Sequence, residues 1–116
     1  MTKTIRNLIA AMLLIGASQG AVALNFYSGN TLLAACEIEN NFEQAMCQGY
    51  LMAVNDTHYA ATMWGGLEQF SCLQEGVMSN QLQKIWIKWA NENPEKLHFE
   101  ASGLVLNAYR KAFPCD

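Results

Sequence analysis

The longest patterned stretch of the chain runs over residues 41–64, where apolar side chains recur at helical spacing on two adjoining stripes. Met46, Tyr50, Ala53, Val54, Thr57 and Ala61 fall near one stripe, and Cys47, Leu51, Val54 and His58 fall on the next. Asn41 can cap the free N–H groups of the first turn, and Gln44, three residues on, can reach back to the Asn41 backbone. Gly65-Gly66 ends the pattern. The apolar arc is wide, which predicts a central helix wrapped by the others. Gly49 sits inside it at a cost of about 1 kcal/mol relative to alanine, which predicts the close approach of another backbone.

Shorter patterns flank this helix. Ser28 or Asn30 can cap a helix through Cys36 that turns Leu32, Leu33 and Cys36 inward, and a turn over residues 37–41 follows. Residues 67–77 have no clear period and read as an ordered loop. Ser79 is a good cap for a third helix, with Leu82, Ile85, Trp86 and Trp89 on one face and Lys84 and Lys88 pointing away. Residues 91–94 stop it. A last helix, from about residue 97 to 113, places Ala101, Leu104, Val105, Ala108, Tyr109 and Ala112 on one stripe. No segment alternates with a period of two, so the expected fold is all-α: a small four-helix domain.

The first residues read as an address. Lys3 and Arg6 precede an apolar run over residues 8–17, and Ala21-Val22-Ala23 has the small-x-small form that signal peptidase cuts after. The run is too short for a stable membrane anchor. The expected mature protein is residues 24–116, soluble, exported and free of the membrane once residues 1–23 are removed. It holds five Lys and Arg against ten Asp and Glu, a net charge of −5. Nucleic acid is not the expected partner of such a surface, because phosphate contacts need clustered Lys and Arg; a basic protein would be steered toward it.

A domain this small has little core to spare, and Cys36, Cys47, Cys72 and Cys115 make an even set in an exported chain, which reads as two disulfides. Of the three pairings, a helical hairpin favours Cys36 with Cys47, which flank the Asn40-Asn41 turn. That leaves Cys72 to clamp Cys115 onto the mid-chain loop. On the chain-entropy model the two closures contribute roughly 3 and 4 kcal/mol.

Candidate chemistry is sparse. His58 and His98 are far apart in sequence, and Asp56 and His58, two apart on a helix, face different ways. Both histidines read as packed or surface side chains, no metal site is expected, and no cofactor is implied. Asp56, inside an otherwise apolar helix, must face solvent or meet a buried donor, and a structural role is expected for it. Trp86 and Trp89 fall on a core stripe. Trp64 stands beside Gly65-Gly66 at a helix end, where an aromatic side chain can anchor a partner. There is no nucleophile elbow, phosphate loop or paired catalytic carboxylate, so an enzyme is not expected.

Taken together, Gly29 with Leu32-Leu33 and Cys36, Cys47-x-Gly49-Tyr50 with Val54 and Asp56, Phe70-x-Cys72 before Gly76-Val77, Gln81-Leu82, Pro94-Glu95 and the closing Ala112-Phe113-Pro114-Cys115 resemble the Rap/Tai family of type VI secretion amidase immunity proteins. The resemblance covers essentially all of residues 24–116. It implies a periplasmic, disulfide-bonded helical protein, often a homodimer, that binds a cognate peptidoglycan amidase effector and plugs its active-site cleft. Leu73-Gln74 after Cys72, where the family commonly has a proline, and Asn93 before Pro94, where a histidine is frequent, are departures in loops. A plug must project and be fixed before it binds. Residues 63–70 and 92–98 are the candidate segments, and Trp64, Glu68, Gln69, Glu92, Glu95 and His98 are the candidate partner-binding residues. Gly49, Tyr50 and Asp56 are expected to be structural. An acid-activated periplasmic chaperone is the alternative, given the excess of carboxylates; a small-molecule or metal-binding domain ranks last.

Overall fold

A computed structural model describes residues 26–116; the expected signal segment lies outside them. Four helices follow in order: α1 (Gly29–Glu37), α2 (Asn41–Trp64), α3 (Ser79–Glu92) and α4 (Ala101–Ala112), with a 3-10 turn at Pro94–Lys96. The described residues contain no strand, and the cysteines pair as Cys36–Cys47 and Cys72–Cys115, as the spacing predicts.

Helix α1 starts at Ser28, whose Oγ accepts the Thr31 N–H at 3.2 Å. Leu32, Ala35 and Cys36 are buried, whereas Leu33 is only half-buried. Gly29 is required here: a Cβ would lie 2.6 Å from Leu104 Cδ1 and 3.0 Å from the Leu97 backbone. That contact comes from the connection before α4, which does not continue the helix as the sequence pattern suggests. Instead the Leu97 and Phe99 carbonyls accept the Asn30 and Gly29 N–H groups, and the Ala101 N–H is donated to Tyr27. Backbone groups committed to α1 are not free for a helix, so α4 begins only at Ala101, capped by the Glu100 carboxylate on the Gly103 N–H at 2.8 Å.

Helix α2 occupies the predicted residues, but its cap is Asn40, whose Oδ1 accepts from Phe42 at 2.9 Å and Glu43 at 3.3 Å. Gln44 does not turn back to its own helix. Its Nε2 donates to the Cys36 carbonyl, which the helix itself leaves without a backbone partner, and to the Ile38 carbonyl, which also accepts the Asn40 N–H. Helix α2 is also not wrapped on all sides. Only Cys47, Leu51 and His58 are buried, while Phe42, Met46, Met52, Tyr59 and Met63 are exposed. A helix of this length extends about 36 Å, and three shorter helices cover one flank of it. Gly49 faces the open side, where a Cβ would meet nothing within 4 Å, so no backbone approaches there.

The core gathers Leu32, Leu51, Trp86, Val105 and Tyr109 around the Cys36–Cys47 bridge. Each such side chain contributes about 1.5–3 kcal/mol on full burial. Trp86 and Trp89 stack at 5.9 Å between centroids on the inner face of α3, and the Tyr109 hydroxyl donates to the Leu51 carbonyl at 2.7 Å. Beside this core runs a polar seam. Gln83 donates to the Cys36 carbonyl at 2.9 Å and to Gln44 Oε1 at 2.6 Å, and accepts from Gln48 at 2.9 Å. Ser79 Oγ donates to Gln48 at 2.8 Å, so Ser79 is engaged in the seam and does not cap α3; the Met78 N–H is taken up by the Gln81 side chain instead.

Candidate functional site

The C-terminal end of α2 projects. Trp64 is 90 % exposed, and Gly65 and Gly66 turn the chain, with Gly66 in the left-handed region at φ 68°. The Leu67 N–H returns to the Ala61 carbonyl at 3.2 Å, which fixes the direction of the turn. Beyond it the chain is held at successive points. The Phe70 N–H is donated to His58 Nε2 at 3.1 Å, and the Phe70 ring stands edge-on to the imidazole. The Arg110 guanidinium lies 4.5 Å from the Phe70 ring centroid. Two residues beyond Phe70, the Cys72–Cys115 disulfide and a 2.9 Å bond from the Cys72 N–H to the Phe113 carbonyl close the loop onto the end of α4.

Between these anchors Glu68 and Gln69 face solvent and line a polar cleft of about 520 Å³ with Phe70, Arg110 and the C-terminal residues. On the other side of Leu67 an apolar groove of about 420 Å³ runs between α2 and α4, lined by Tyr50, Val54, His58, Ala61, Leu67 and Leu106. Tyr50 packs edge-on against Tyr27 at 5.4 Å, and desolvation pushes its phenol pKa up. Asp56 faces solvent on the open side of α2, which settles the choice between a solvated and a buried carboxylate.

The second set of predicted residues lies apart from the first. Glu92 ends α3 and pairs with Lys111 at 3.2 Å and Lys88 at 4.0 Å, exposed contacts that contribute little to stability. Its groove, between α3 and α4, is lined by Ile85, Trp89 and Ala108. Glu95 is exposed in the 3-10 turn, and His98 is exposed with its ring against Phe99 at 4.1 Å. Glu68 and Gln69 therefore share one cleft, with Trp64 in the same segment but outside that cleft, and Glu92, Glu95 and His98 belong to another segment; neither of the two clefts next to Glu68 and Glu92 draws on both.

The sequence pattern did not single out Leu67 or Arg110, and it read His58 only as a packed or surface side chain. His58 is packed, but it also fastens the loop. An apolar stripe that carries a histidine into the last turns of a long helix is the one signal that could have pointed to it. Among the described residues, no three His, Cys, Asp or Glu side chains gather as metal ligands. What the arrangement offers is recognition: a fixed, projecting aromatic end flanked by a carboxylate, an amide and an apolar groove.

No curated protein and no solved structure matches the chain. A family model described as Rap1a immunity proteins does match it, over residues 28–115, from the cap of α1 to the last cysteine. Since that span takes in all four helices and both disulfides, the chain belongs to the Rap1a immunity protein family.

Proposed function

We propose that this chain is a periplasmic immunity protein of type VI secretion, which binds a peptidoglycan amidase toxin and inhibits it by filling the active-site cleft. The observation that carries this reading is the fixed projection at the end of α2, with Trp64 90 % exposed at its tip. Ordering a flexible loop on binding costs about 1–2 kcal/mol per residue of backbone entropy. For residues 66–70 that is roughly 5–10 kcal/mol, and the anchors at His58, Arg110 and Cys72 meet most of it before any partner arrives. The protein acts as a stoichiometric inhibitor and needs no cofactor. Its paired cysteines suit an oxidising compartment, and no described helix is long and apolar enough to cross a membrane. A homodimer, in this reading, would cover the exposed Phe42, Met46 and Met52 of α2; sedimentation of the oxidised protein measures it.

The test is a binding and inhibition assay with oxidised residues 24–116 and the amidase encoded nearest to the gene, or a panel of such amidases. The expected result is nanomolar affinity, about −12 kcal/mol, with loss of peptidoglycan cleavage. Trp64→Ala should weaken binding by about 30-fold or more, as central aromatic anchors do, and Glu68→Lys should weaken it as well. Both should leave unfolding free energy within about 0.5 kcal/mol of wild type. Glu95→Lys tests the second segment in the same assay. Absence of binding to every amidase would overturn the reading; acid-induced dye binding with suppression of client aggregation would then favour a chaperone.

A further inference from the structure

Of the two histidines, His98 is exposed and His58 is 6 % exposed, inside the wall of the α2–α4 groove. Its Nε2 accepts the Phe70 N–H at 3.1 Å, so the neutral ring must carry its proton on Nδ1, and that buried N–H has no partner. The tautomer is thus set by the loop alone. We propose that His58 is the positioning residue of the Trp64–Phe70 recognition loop, and that a proton competes with the loop for the same Nε2 lone pair. The inference rests on the loop being the toxin-binding element, but the latch itself can be tested in the isolated protein.

The chemistry of the competition is direct. A proton on Nε2 turns an acceptor into a donor that faces the donor of Phe70, so the bond is lost and two N–H groups oppose each other. The neighbours offer no compensation. On α4, Arg110 is a second cation, over the Phe70 ring that also edges against the imidazole. Tyr109, also on α4, is neutral and donates to the Leu51 carbonyl, and Tyr50, earlier on α2 and lining the same groove, is neutral as well. Glu68 of the loop and Asp56 of α2 are exposed to solvent, and neither bonds to His58. A charged His58 would lie in an apolar wall without a counter-ion in hydrogen-bonding reach.

The segment it would release is short and already bounded. At one end the Leu67 N–H stays bonded to the Ala61 carbonyl after the left-handed turn at Gly66, and at the other the Cys72–Cys115 disulfide holds the chain whatever the state of His58. Acid would therefore loosen residues 68–71, with Glu68, Gln69 and Phe70, between those two fixed points and leave the helices in place.

Amide hydrogen exchange by NMR on the oxidised protein, followed from pH 8 to pH 5, tests this. The Phe70 amide, expressed as protection relative to its intrinsic rate, should lose at least about tenfold in step with protonation of His58 seen in its 15N shifts. The Cys72 amide, bonded to the Phe113 carbonyl, should keep its protection. His58→Gln keeps an acceptor that does not titrate and should make Phe70 protection independent of pH. His58→Leu should abolish that protection at every pH. Phe70 protection that is the same at pH 8 and pH 5 in wild type, or that still falls in His58→Gln, overturns the proposal. With a cognate amidase, affinity should follow the same profile in wild type and be flat in His58→Gln. Failure of any amidase to bind would remove the toxin-binding reading and leave the exchange result standing.

Discussion

Gln83 offers the sharpest test of how the three helices are registered. Replacing it with leucine keeps most of the volume but removes every polar contact it makes. Gln48 Nε2 loses its 2.9 Å acceptor and Gln44 Oε1 loses its 2.6 Å donor, whereas the Cys36 carbonyl keeps the bond from Gln44 at 3.2 Å. A sealed, orphaned polar group costs about 1–3 kcal/mol. Gln44 and Gln48 are half-buried, so water reaches part of the seam and the lower half of that range applies. The expected loss is about 2–4 kcal/mol, which for a domain of this size lowers Tm by roughly 8–32 °C. Urea unfolding with the disulfides intact measures it, and a cycle with Gln48→Leu isolates the coupling. Because removing both partners of a bond costs less than orphaning one, the double variant should be at least about 1 kcal/mol more stable than the sum of the singles predicts. A Gln83→Leu protein within about 0.5 kcal/mol of wild type, the scatter of neutral surface changes, would refute the seam as a stabilising element.

Other expectations follow from single positions. Gly49→Ala should raise stability by up to about 1 kcal/mol, since the open side of α2 accepts a methyl and the helix loses a poor former. Gly29→Ala should cost about 1–3 kcal/mol through the clash with Leu104 and the Leu97 backbone; thermal melts of the pair decide both. Burial pushes the Tyr109 phenol pKa well above its ordinary range, so the folded state holds that proton more tightly than the unfolded chain. Its contribution is complete below the ordinary tyrosine pKa of about 10 and is lost as pH rises beyond it. Tyr109→Phe should cost about 1 kcal/mol at neutral pH through loss of the bond to Leu51, yet show a shallower alkaline decline in urea titrations.

The disulfide pairing was legible because Cys36 and Cys47 stand on either side of a turn between two helical patterns, so the hairpin itself joins them. The limits of α2 were legible for a similar reason: Asn40-Asn41 and Gly65-Gly66 are strong punctuation, and Trp64 beside a double glycine has nowhere to be but outside. Which asparagine caps was not, because adjacent residues of one type are equivalent until the backbone chooses. The late start of α4 depends on backbone bonds to the start of α1, some seventy residues earlier, and no local pattern carries that. Gln83, between Leu82 and Lys84, looks like a solvated position; only the convergence of Gln44, Gln48 and the Cys36 carbonyl makes it a buried one. His58 was on the right stripe, but its role depends on where a loop twelve residues later returns.

The two cross-links also decide how the molecule carries mechanical load. Tension applied between Tyr27 and Asp116 passes through the Cys36–Cys47 and Cys72–Cys115 bonds and bypasses the chain they enclose. Only residues 27–36 and 47–72 can extend, about 36 residues or roughly 120 Å when fully drawn out, against roughly 300 Å for the reduced chain. Helices α3 and α4 lie wholly within the longer enclosed loop and feel no pull. All of the extensible path beyond α1 is α2 and the segment from Gly65 to Cys72, so the part of the molecule proposed to meet a partner is also the part that bears the strain under such a load.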